Sequence, residues 1–318
     1  MAKIFLVILI SWIVAALMTY IEIPILKKKQ FRQYIREDGP QSHLKKEGTP
    51  SMGGIAIVLA LIIINVVSGC FSAETLVMLA VTVLYALIGF LDDYIKVAQK
   101  HNLGLRAWQK LVLQIAFAAG LAIYIANFSD YGTSVWIPFL DKHVDFGWFY
   151  VPFIAFVVVA MTNSVNLTDG LDGLSSGVTA IVAFFFAVIA LKLGTFTEMH
   201  FAAALCGVCL GFLTFNRHPA KLFMGDTGSM ALGGAVASCA IMMKVEFLLV
   251  IAGFIYVLEA LSVIIQVVSF KTRGKRVFKM APIHHHFEMC GMKETQVVLM
   301  FYVAAVVCCI LGYIVFII

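Results

Sequence analysis

Long apolar runs alternate with short polar segments along the whole chain. Ten of these runs approach or exceed the roughly 20 mainly apolar residues that cross the hydrocarbon core of a bilayer as a helix. They cover about residues 3–24, 53–70, 73–91, 107–127, 148–165, 175–193, 199–216, 228–244, 246–269 and 296–317. The runs are too long for the alternating strands of about 10 residues that build an outer-membrane barrel. The pattern therefore predicts an all-α integral membrane protein with ten transmembrane helices.

Composition supports this class of protein. The chain is 62% hydrophobic and only 13% charged, whereas soluble domains carry about 25% charged residues. We predict a single polytopic membrane domain over residues 1–318, with the lipid bilayer as its environment. No nucleic-acid-binding motif is visible. The net charge of +5 therefore indicates contact with anionic lipid or with an anionic substrate.

Basic residues fall mainly on one side of the predicted spans. The loops that follow odd-numbered spans, together with their flanks, carry 19 of the 23 Lys and Arg residues. The positive-inside rule places these loops in the cytoplasm. Both termini are therefore predicted to be extracytoplasmic. The first run has no small-residue cleavage site, so we interpret it as a retained span.

A polar stretch at residues 163–174 interrupts the apolar pattern between two predicted spans. It contains two Asn, two Asp and two Gly residues. A polar insert this short cannot cross a membrane, so it should be a loop or a helix terminus at a membrane face. Its glycines allow a ligand to approach the backbone closely. We interpret the stretch as the floor of an active site that is formed by cytoplasmic loops.

Acidic residues cluster on the same predicted face. They are Asp92, Asp93, Asp169, Asp172 and Asp226. An adjacent Asp pair can be a simple interfacial charge pair, and a lone Asp at a helix start is often an N-cap. Five carboxylates on one face without matching cysteines favour a hard-oxygen site that suits Mg²⁺. Lys96 and Lys110 lie close enough in sequence to contact phosphate.

Further polar features accompany the acidic cluster. Pro-Ser-Met-Gly-Gly at residues 50–54 fits a helix start whose backbone N–H groups can face an anion. Three consecutive histidines, His284, His285 and His286, lack the spacing of a zinc site, and we interpret them as phosphate or substrate contacts. Glu259 lies deep in span 9, where an ionisable residue is a functional candidate. Its sequence context shows no partner, and structural hydrogen bonding is an equal alternative. Small residues at the start of span 8 should allow close helix packing.

Five motifs occur in the order found in one enzyme family. They lie at residues 50–54, 92–93, 166–173, 225–229 and 284–288. In this order the chain resembles the polyprenyl-phosphate N-acetylhexosamine-1-phosphate transferases over essentially its whole length. The His-His-His-Phe-Glu run narrows the resemblance to the bacterial phospho-N-acetylmuramoyl-pentapeptide transferases. Ser51 stands where Thr is expected and keeps the hydroxyl group.

The resemblance implies a Mg²⁺-dependent reaction at the bacterial inner membrane, with the active site facing the cytoplasm. Phospho-N-acetylmuramoyl-pentapeptide would pass from UDP-MurNAc-pentapeptide to undecaprenyl phosphate, giving lipid I and UMP in peptidoglycan biosynthesis. The family also implies a homodimer. A polytopic enzyme suits this chemistry, because one substrate is a membrane lipid and the other is a soluble anion.

The resemblance also implies roles for individual carboxylates. Asp226 would ligate Mg²⁺, Asp92 would remove a proton from the lipid phosphate, and Asp93 would assist in positioning the metal or a lysine. A phosphate is already largely ionised at pH 7, since its second pKa is about 6. A covalent route with Asp92 as the nucleophile is therefore an alternative.

Substrate contacts follow from the same resemblance. Gly170, Leu171 and Asp172 would line a uracil pocket in which Phe223 stacks on the base. The complete set of expected substrate contacts is Lys46, Ser51, Lys96, Asn166, Asp169, Gly170, Leu171, Asp172, Asn216, Phe223, His284, His285 and His286.

Two other functions fit parts of the pattern. A sister transferase that uses UDP-GlcNAc and a polyprenyl phosphate would share most of the motifs, but the triple-histidine run argues against it. A secondary transporter or lipid flippase would also have ten spans. Transporters place their sites near the bilayer midplane, often between inverted repeats. Here the acidic residues lie at loop ends on one face and no inverted repeat is visible, which favours the transferase.

Overall fold

A computed structural model describes residues 1–29, 31, 46, 48–99, 103–128 and 132–318. Helices dominate the described residues. In chain order they are α1 (Ala2–Lys28), α2 (Gly54–Val67), α3 (Ala73–Gln99), α4 (Ala107–Phe128), α5 (Tyr150–Thr168), α6 (Leu174–Leu193), α7 (Phe196–Asn216), α8 (Gly225–Met242), α9 (Leu248–Ala252), α10 (Phe254–Arg273), α11 (Ile283–Met289) and α12 (Glu294–Ile317). A 3₁₀ turn at Gly147–Phe149 precedes α5.

Eight of the described helices have the length and apolar composition needed to cross a membrane. They are α1, α3, α4, α5, α6, α7, α10 and α12. Helix α2 is apolar but has only 14 residues. The predicted class, an all-α integral membrane protein, is confirmed at this level. The ten-span count and the placement of the termini stay predictions.

One small sheet departs from the all-α expectation. Strands β1 (Ser134–Ile137) and β2 (Lys142–Asp145) form an antiparallel hairpin between α4 and α5. A search for apolar runs of membrane length passes over such short strands, because each has only four residues and the second is polar.

The predicted span 246–269 is wrong as a single helix. The structure divides it into α9 and α10 at Gly253, whose φ and ψ of −90° and 20° lie outside the helical range. A Cβ atom at this position would lie 2.5 Å from the backbone oxygen of Leu249, so glycine permits the break. Conversely, α5 continues through Thr168. The polar stretch 163–174 is expected to be either a loop or a helix terminus. The structure shows the end of α5 followed by a short loop.

Helix α8 lies at the centre of the bundle, and every residue from Thr227 to Ile241 is buried. The expected close packing of its small residues is confirmed. A Cβ atom on Gly233 would lie 2.5 Å from the Cα atom of Thr162 in α5. Without side chains between them, the two backbones approach closely. This packing brings the amino end of α8 to the carboxyl ends of α3 and α5.

The segment 50–54 leads into α2 and forms backbone hydrogen bonds with Phe223 and Met224. The N–H groups of Gly53 and Gly54 donate to the carbonyl oxygens of Phe223 and Met224, each at 2.9 Å. The predicted helix start is confirmed. Because these two donors are already used by carbonyl groups, they are not available to an anion. That other N–H groups at this helix start face an anion stays a prediction. Met52, with φ at +78°, is held in the left-handed region by this pairing.

Candidate active site

Three carboxylates converge where α3 meets the first turn of α8. The side-chain oxygens of Asp92, Asp93 and Asp226 lie within 4.8 Å of one another. Gly89 makes the approach possible, because a Cβ atom there would lie 2.1 Å from the backbone oxygen of Asp226. Helix packing thus joins two motifs that are more than 130 residues apart in sequence.

Two lysines neutralise part of this charge. Asp226 Oδ2 accepts hydrogen bonds from Lys96 Nζ at 3.0 Å and from Lys110 Nζ at 2.7 Å. Lys96 Nζ also lies 2.6 Å from Asp92 Oδ2. Half-buried charges need such pairing because desolvation is costly. The sequence predicts that Lys110 can contact phosphate but does not place it in the expected site. Its location near the start of α4, at the same end of the bundle as the acidic residues, is the sequence feature that could have placed it there.

Asp93 caps helix α8 from the neighbouring helix α3. Its Oδ1 accepts the backbone N–H of Asp226 at 3.1 Å, and its Oδ2 accepts the N–H and hydroxyl of Thr227 at 2.9 and 2.7 Å. A carboxylate at this place satisfies the free N–H groups of the first helical turn. Asp93 therefore positions Asp226 through the backbone of α8.

The side chains of Asp92 and Asp226 differ in their exposure to solvent. Asp92 Oδ1 accepts the N–H of Leu105 at 2.9 Å, and Gly104 lies directly against its carboxylate. The side chain of Asp92 is 4% exposed, whereas that of Asp226 is 19% exposed. Asp226 is thus the more open carboxylate of the two.

The polar end of α5 completes this cluster. Asn166 Nδ2 donates to Asp226 Oδ1 at 2.9 Å and to Ser229 Oγ at 2.8 Å. Asp169 follows at the end of α5. Burial, with the charges of Asp226, Asp93 and Asp172, raises the pKa of Asp169 to about 8. At pH 7 its carboxyl group therefore holds a proton for much of the time.

The donor set fits a hard cation. Carboxylate and amide oxygens are the ligands that Mg²⁺ accepts in proteins, and three carboxylates are within reach of one ion. A cation on Asp226 Oδ2 competes with the ammonium groups of Lys96 and Lys110, which now occupy that oxygen. Ser51 lies beneath the same turn, since a Cβ atom on Gly225 would be 3.2 Å from its hydroxyl oxygen.

A second charged cluster surrounds Asp172. Lys46 Nζ bridges Asp172 Oδ1 at 2.7 Å and Glu294 Oε1 at 2.6 Å. The other oxygen of Asp172 accepts the N–H of Ala220 at 3.0 Å and lies 3.2 Å from His218 Nδ1. The structure thereby brings together two expected residues, Lys46 and Asp172, that lie 126 positions apart.

Sequence reasoning missed Glu294. Its Oε1 accepts the backbone N–H of Asp172 at 2.7 Å in addition to Lys46. It is the first residue of α12, where a carboxylate also suits the helix dipole. Glu294 could have been predicted from the sequence, because it is an acidic residue at the start of the last predicted span, on the same face as the other motifs.

Asn216 and Phe223 lie near the connection between α7 and α8. Asn216 is buried; its Oδ1 accepts the N–H of Gly173 and the hydroxyl of Ser176 at 3.2 and 3.0 Å, and its Nδ2 donates to Leu222 O at 2.9 Å. This side chain holds the start of α6 to the segment before α8. Phe223 is half-buried. Their expected substrate contacts stay predictions.

The three histidines have three different surroundings on α11. His284 is fully buried, with Nδ1 at 3.0 Å from Glu259 Oε2. His285 Nδ1 lies 2.9 Å from Glu288 Oε2, and His286 Nδ1 accepts the N–H of Lys279 at 3.1 Å. Glu259 thus has the partner that the sequence did not reveal. Substrate contacts of the histidines also stay predictions.

Comparison with known proteins identifies the family of this chain. The model of glycosyl transferase family 4 matches residues 75–244, and the phospho-N-acetylmuramoyl-pentapeptide-transferase signature 1 matches residues 46–58. Proteins named phospho-N-acetylmuramoyl-pentapeptide-transferase from Clostridium botulinum (strain Alaska E43), Clostridium kluyveri (strain ATCC 8527) and Bacillus subtilis (strain 168) are 50%, 49% and 48% identical to this chain. The alignments cover 92%, 98% and 96% of this chain and 90%, 99% and 95% of the relatives. The chain therefore belongs to the phospho-N-acetylmuramoyl-pentapeptide-transferases of glycosyl transferase family 4.

Proposed function

We propose that this protein transfers phospho-N-acetylmuramoyl-pentapeptide from UDP-MurNAc-pentapeptide to undecaprenyl phosphate, giving lipid I and UMP in peptidoglycan synthesis. The observation that carries this proposal is the identity of about one half with transferases of that name over nearly the whole chain. The enzyme is a helical, multi-pass protein of the bacterial inner membrane. Its substrates are a polyprenyl phosphate and a UDP-linked muramoyl peptide.

The active site is proposed to face the cytoplasm. In support, it gathers the carboxyl ends of α3, α5 and α7 and the amino ends of α4, α8 and α12. The opposite ends hold the hairpin and a buried Lys244, which donates to Tyr150 at 2.9 Å. Most basic residues in the described part of the chain lie at the site end, as the positive-inside rule requires of a cytoplasmic face. Other basic residues, such as Lys45 and Lys100, lie outside the described residues.

Three structural expectations stay predictions at this point. They are the ten spans with extracytoplasmic termini, the single domain over residues 1–318, and the homodimer that the family resemblance implies. Light scattering of the detergent-purified protein measures the last of these directly.

Asp226 is proposed as the Mg²⁺ ligand, because it is the most open of the three clustered carboxylates and is held in place by Asp93 and Asn166. When bound there, Mg²⁺ would supply positive charge that screens the pyrophosphate. Lys96 and Lys110, which contact Asp226, are proposed to neutralise the phosphates of the two substrates.

Direct attack by the lipid phosphate is favoured over a covalent route. A nucleophilic carboxylate needs an oxygen that faces the phosphorus. Both oxygens of Asp92 are engaged, by Lys96 and by the N–H of Leu105, and the side chain is buried. We propose that Asp92 orients Lys96 toward the lipid phosphate. To accept the proton of a protonated lipid phosphate, Asp92 must first release one of these two contacts. Its contribution as a base is modest, because the second pKa of a phosphate is about 6.

The nucleotide is proposed to bind beside the second cluster. Gly170, Leu171 and Asp172 are proposed to line the uracil pocket, with Phe223 stacked on the base. Lys46, which pairs with Asp172, is proposed to line the nucleoside–sugar side. The phosphate, sugar and peptide side is proposed to use Ser51, Lys96, Asn166, Asp169, Asn216, His284, His285 and His286. The support is the contact of Asn216 and His284 with the loop 169–173, the contact of Lys96 and Asn166 with Asp226, and the family resemblance.

Glu294→Gln is expected to raise the KM for UDP-MurNAc-pentapeptide about tenfold, because charged hydrogen bonds to Lys46 and the Asp172 backbone are each worth about 1.5–3 kcal/mol. Steady-state kinetics with each substrate varied in turn measures this. Glu74→Gln, at the opposite end of α3, is the matched control and should leave both KM values unchanged. A KM increase for undecaprenyl phosphate instead would contradict the assignment of this cluster to the nucleotide.

The proposed reaction is tested by UMP release. Purified protein in detergent receives undecaprenyl phosphate and Mg²⁺ with either UDP-MurNAc-pentapeptide or UDP-GlcNAc. We expect UMP only from the muramoyl substrate and none after EDTA. Release from UDP-GlcNAc alone would assign the chain to the sister transferases. Turnover of neither, with substrate flux across liposomes, would support a transporter.

A further inference from the structure

Helix α10 carries a carboxylate on its inner side, while most of its surface faces outward. Leu261, Ile264 and Val268 are exposed, whereas Glu259 is fully buried next to Tyr256. An ionisable side chain buried in a membrane helix is costly and is retained where it serves a function. The proposed reaction assigns Glu259 no role in catalysis or in substrate binding.

The partner of this carboxylate is His284 on α11. Glu259 Oε2 lies 3.0 Å from His284 Nδ1, and the two side chains are 0% and 1% exposed. Neither carboxylate oxygen of Glu259 and neither ring nitrogen of His284 makes a well-aligned hydrogen bond within the described residues. The imidazole is therefore the polar group within reach of the buried carboxyl group, and the electrostatic interaction between them acts in a site closed to solvent.

The opposite edge of the imidazole touches the loop after α5. A Cβ atom built on Gly170 would lie 2.1 Å from His284 Nε2. Glycine at this position lets the ring rest directly on the loop backbone. Leu171 and Asp172 follow immediately. The position of the ring thus sets the position of the residues proposed to receive uracil.

The far side of the same loop is fixed separately. Glu294 holds the backbone N–H of Asp172, and Lys46 and Ala220 hold its side chain. The loop therefore lies between two sets of contacts. One is made by Glu294 on α12, and the other by His284 on α11, which contacts Glu259 on α10. Loss of either support leaves the loop free to shift, and a pocket for a planar base is sensitive to shifts of this kind.

We propose that Glu259 is a positioning residue for binding of the UDP-linked substrate. It holds His284 against Gly170 and so fixes the loop that receives the nucleotide. Glu259 itself touches no substrate. The inference rests on the proposed function, because that function assigns the loop to nucleotide binding.

Steady-state kinetics of the full-length protein in detergent tests the proposal. In Glu259→Ala we expect the KM for UDP-MurNAc-pentapeptide to rise about tenfold, with the KM for undecaprenyl phosphate within about twofold of the unmodified protein. Glu259→Gln keeps an oxygen that can accept the Nδ1–H of His284, so it should recover part of the loss. The double variant Glu259→Ala, His284→Ala should be no worse than His284→Ala alone, because both changes remove the same support.

Glu246→Gln serves as the matched control. Glu246 is also buried with no aligned hydrogen bond to its carboxylate, but it lies two residues from Lys244 at the opposite end of the bundle. It should change the melting temperature and leave both KM values unchanged. If Glu259→Ala behaves like this control, or if the losses of the two single variants add in the double variant, the proposal is overturned. An unmodified protein without UMP release would instead contradict the proposed function, and this inference with it.

Discussion

Replacing Asp226 with asparagine is expected to lower kcat by about 10²–10³-fold, as is usual when a group that stabilises transition-state charge is removed. The amide keeps the oxygen that Asn166 contacts and nearly the same shape. It removes the negative charge that a divalent cation needs and that now pairs with Lys96 and Lys110. UMP release as a function of Mg²⁺ concentration measures both consequences. The variant should also need more Mg²⁺ for half-maximal activity.

Asp145→Asn is the control for this substitution. Asp145 makes the same kind of carboxylate contacts, to Thr133 and Gly147, but in the exposed hairpin. It should leave kcat and the Mg²⁺ dependence unchanged. An Asp226→Asn variant with normal turnover and normal Mg²⁺ dependence would remove Asp226 from the metal site and leave Asp92 as the remaining candidate ligand.

Gly89→Ala is expected to reduce turnover about 100-fold, because a misplacement of catalytic groups by about 1 Å can cost that much. The added methyl group would lie 2.1 Å from the backbone oxygen of Asp226 and 2.6 Å from the N atom of Thr227. Backbone atoms cannot move aside as a flexible side chain can. Helices α3 and α8 must therefore separate, which moves Asp92 and Asp93 away from Asp226. Overpacking of this kind also costs about 1–3 kcal/mol of stability.

Gly120→Ala separates this steric effect from a general effect of replacing glycine in a helix. Gly120 lies within α4, and a Cβ atom there would have nothing within 4 Å. Thermal unfolding and UMP release are measured on both variants. Turnover of Gly120→Ala should equal that of the unmodified protein. Comparable activity of Gly89→Ala would mean that the contact between α3 and α8 does not set the catalytic geometry.

Helix positions follow closely from the sequence. The ten predicted spans lie on eleven of the described helices, since one span is divided between α9 and α10. An apolar run of membrane length has few alternatives to helical structure. The errors are local. The run at 246–269 contains a break at Gly253, and a short hairpin lies between α4 and α5. Neither feature changes the average hydrophobicity that identifies a span.

Family and reaction class also follow from the sequence. Five short motifs in order identified the transferases, and the comparisons confirm that family. The motifs are informative because each holds residue types, such as adjacent aspartates, that are costly at a membrane face without a function. The motifs also indicated which residues share one face of the bundle, since helix direction alternates along the chain.

The different contacts of the individual acidic residues are visible only in the tertiary structure. Asp93 is indistinguishable from Asp92 in sequence, but its oxygens cap α8 while Asp92 holds Lys96. Glu294 and Glu259 gain their partners, Lys46 and His284, from helices distant in the chain. The physical reason is that helical periodicity is set within a few turns of chain, whereas the partner of a charge is set by which helices pack together. Local patterns in the chain therefore predict the helices, the family and the grouping of the motifs at one end of the bundle. Packing decides which carboxylate is the most exposed and which side chains hold it in place.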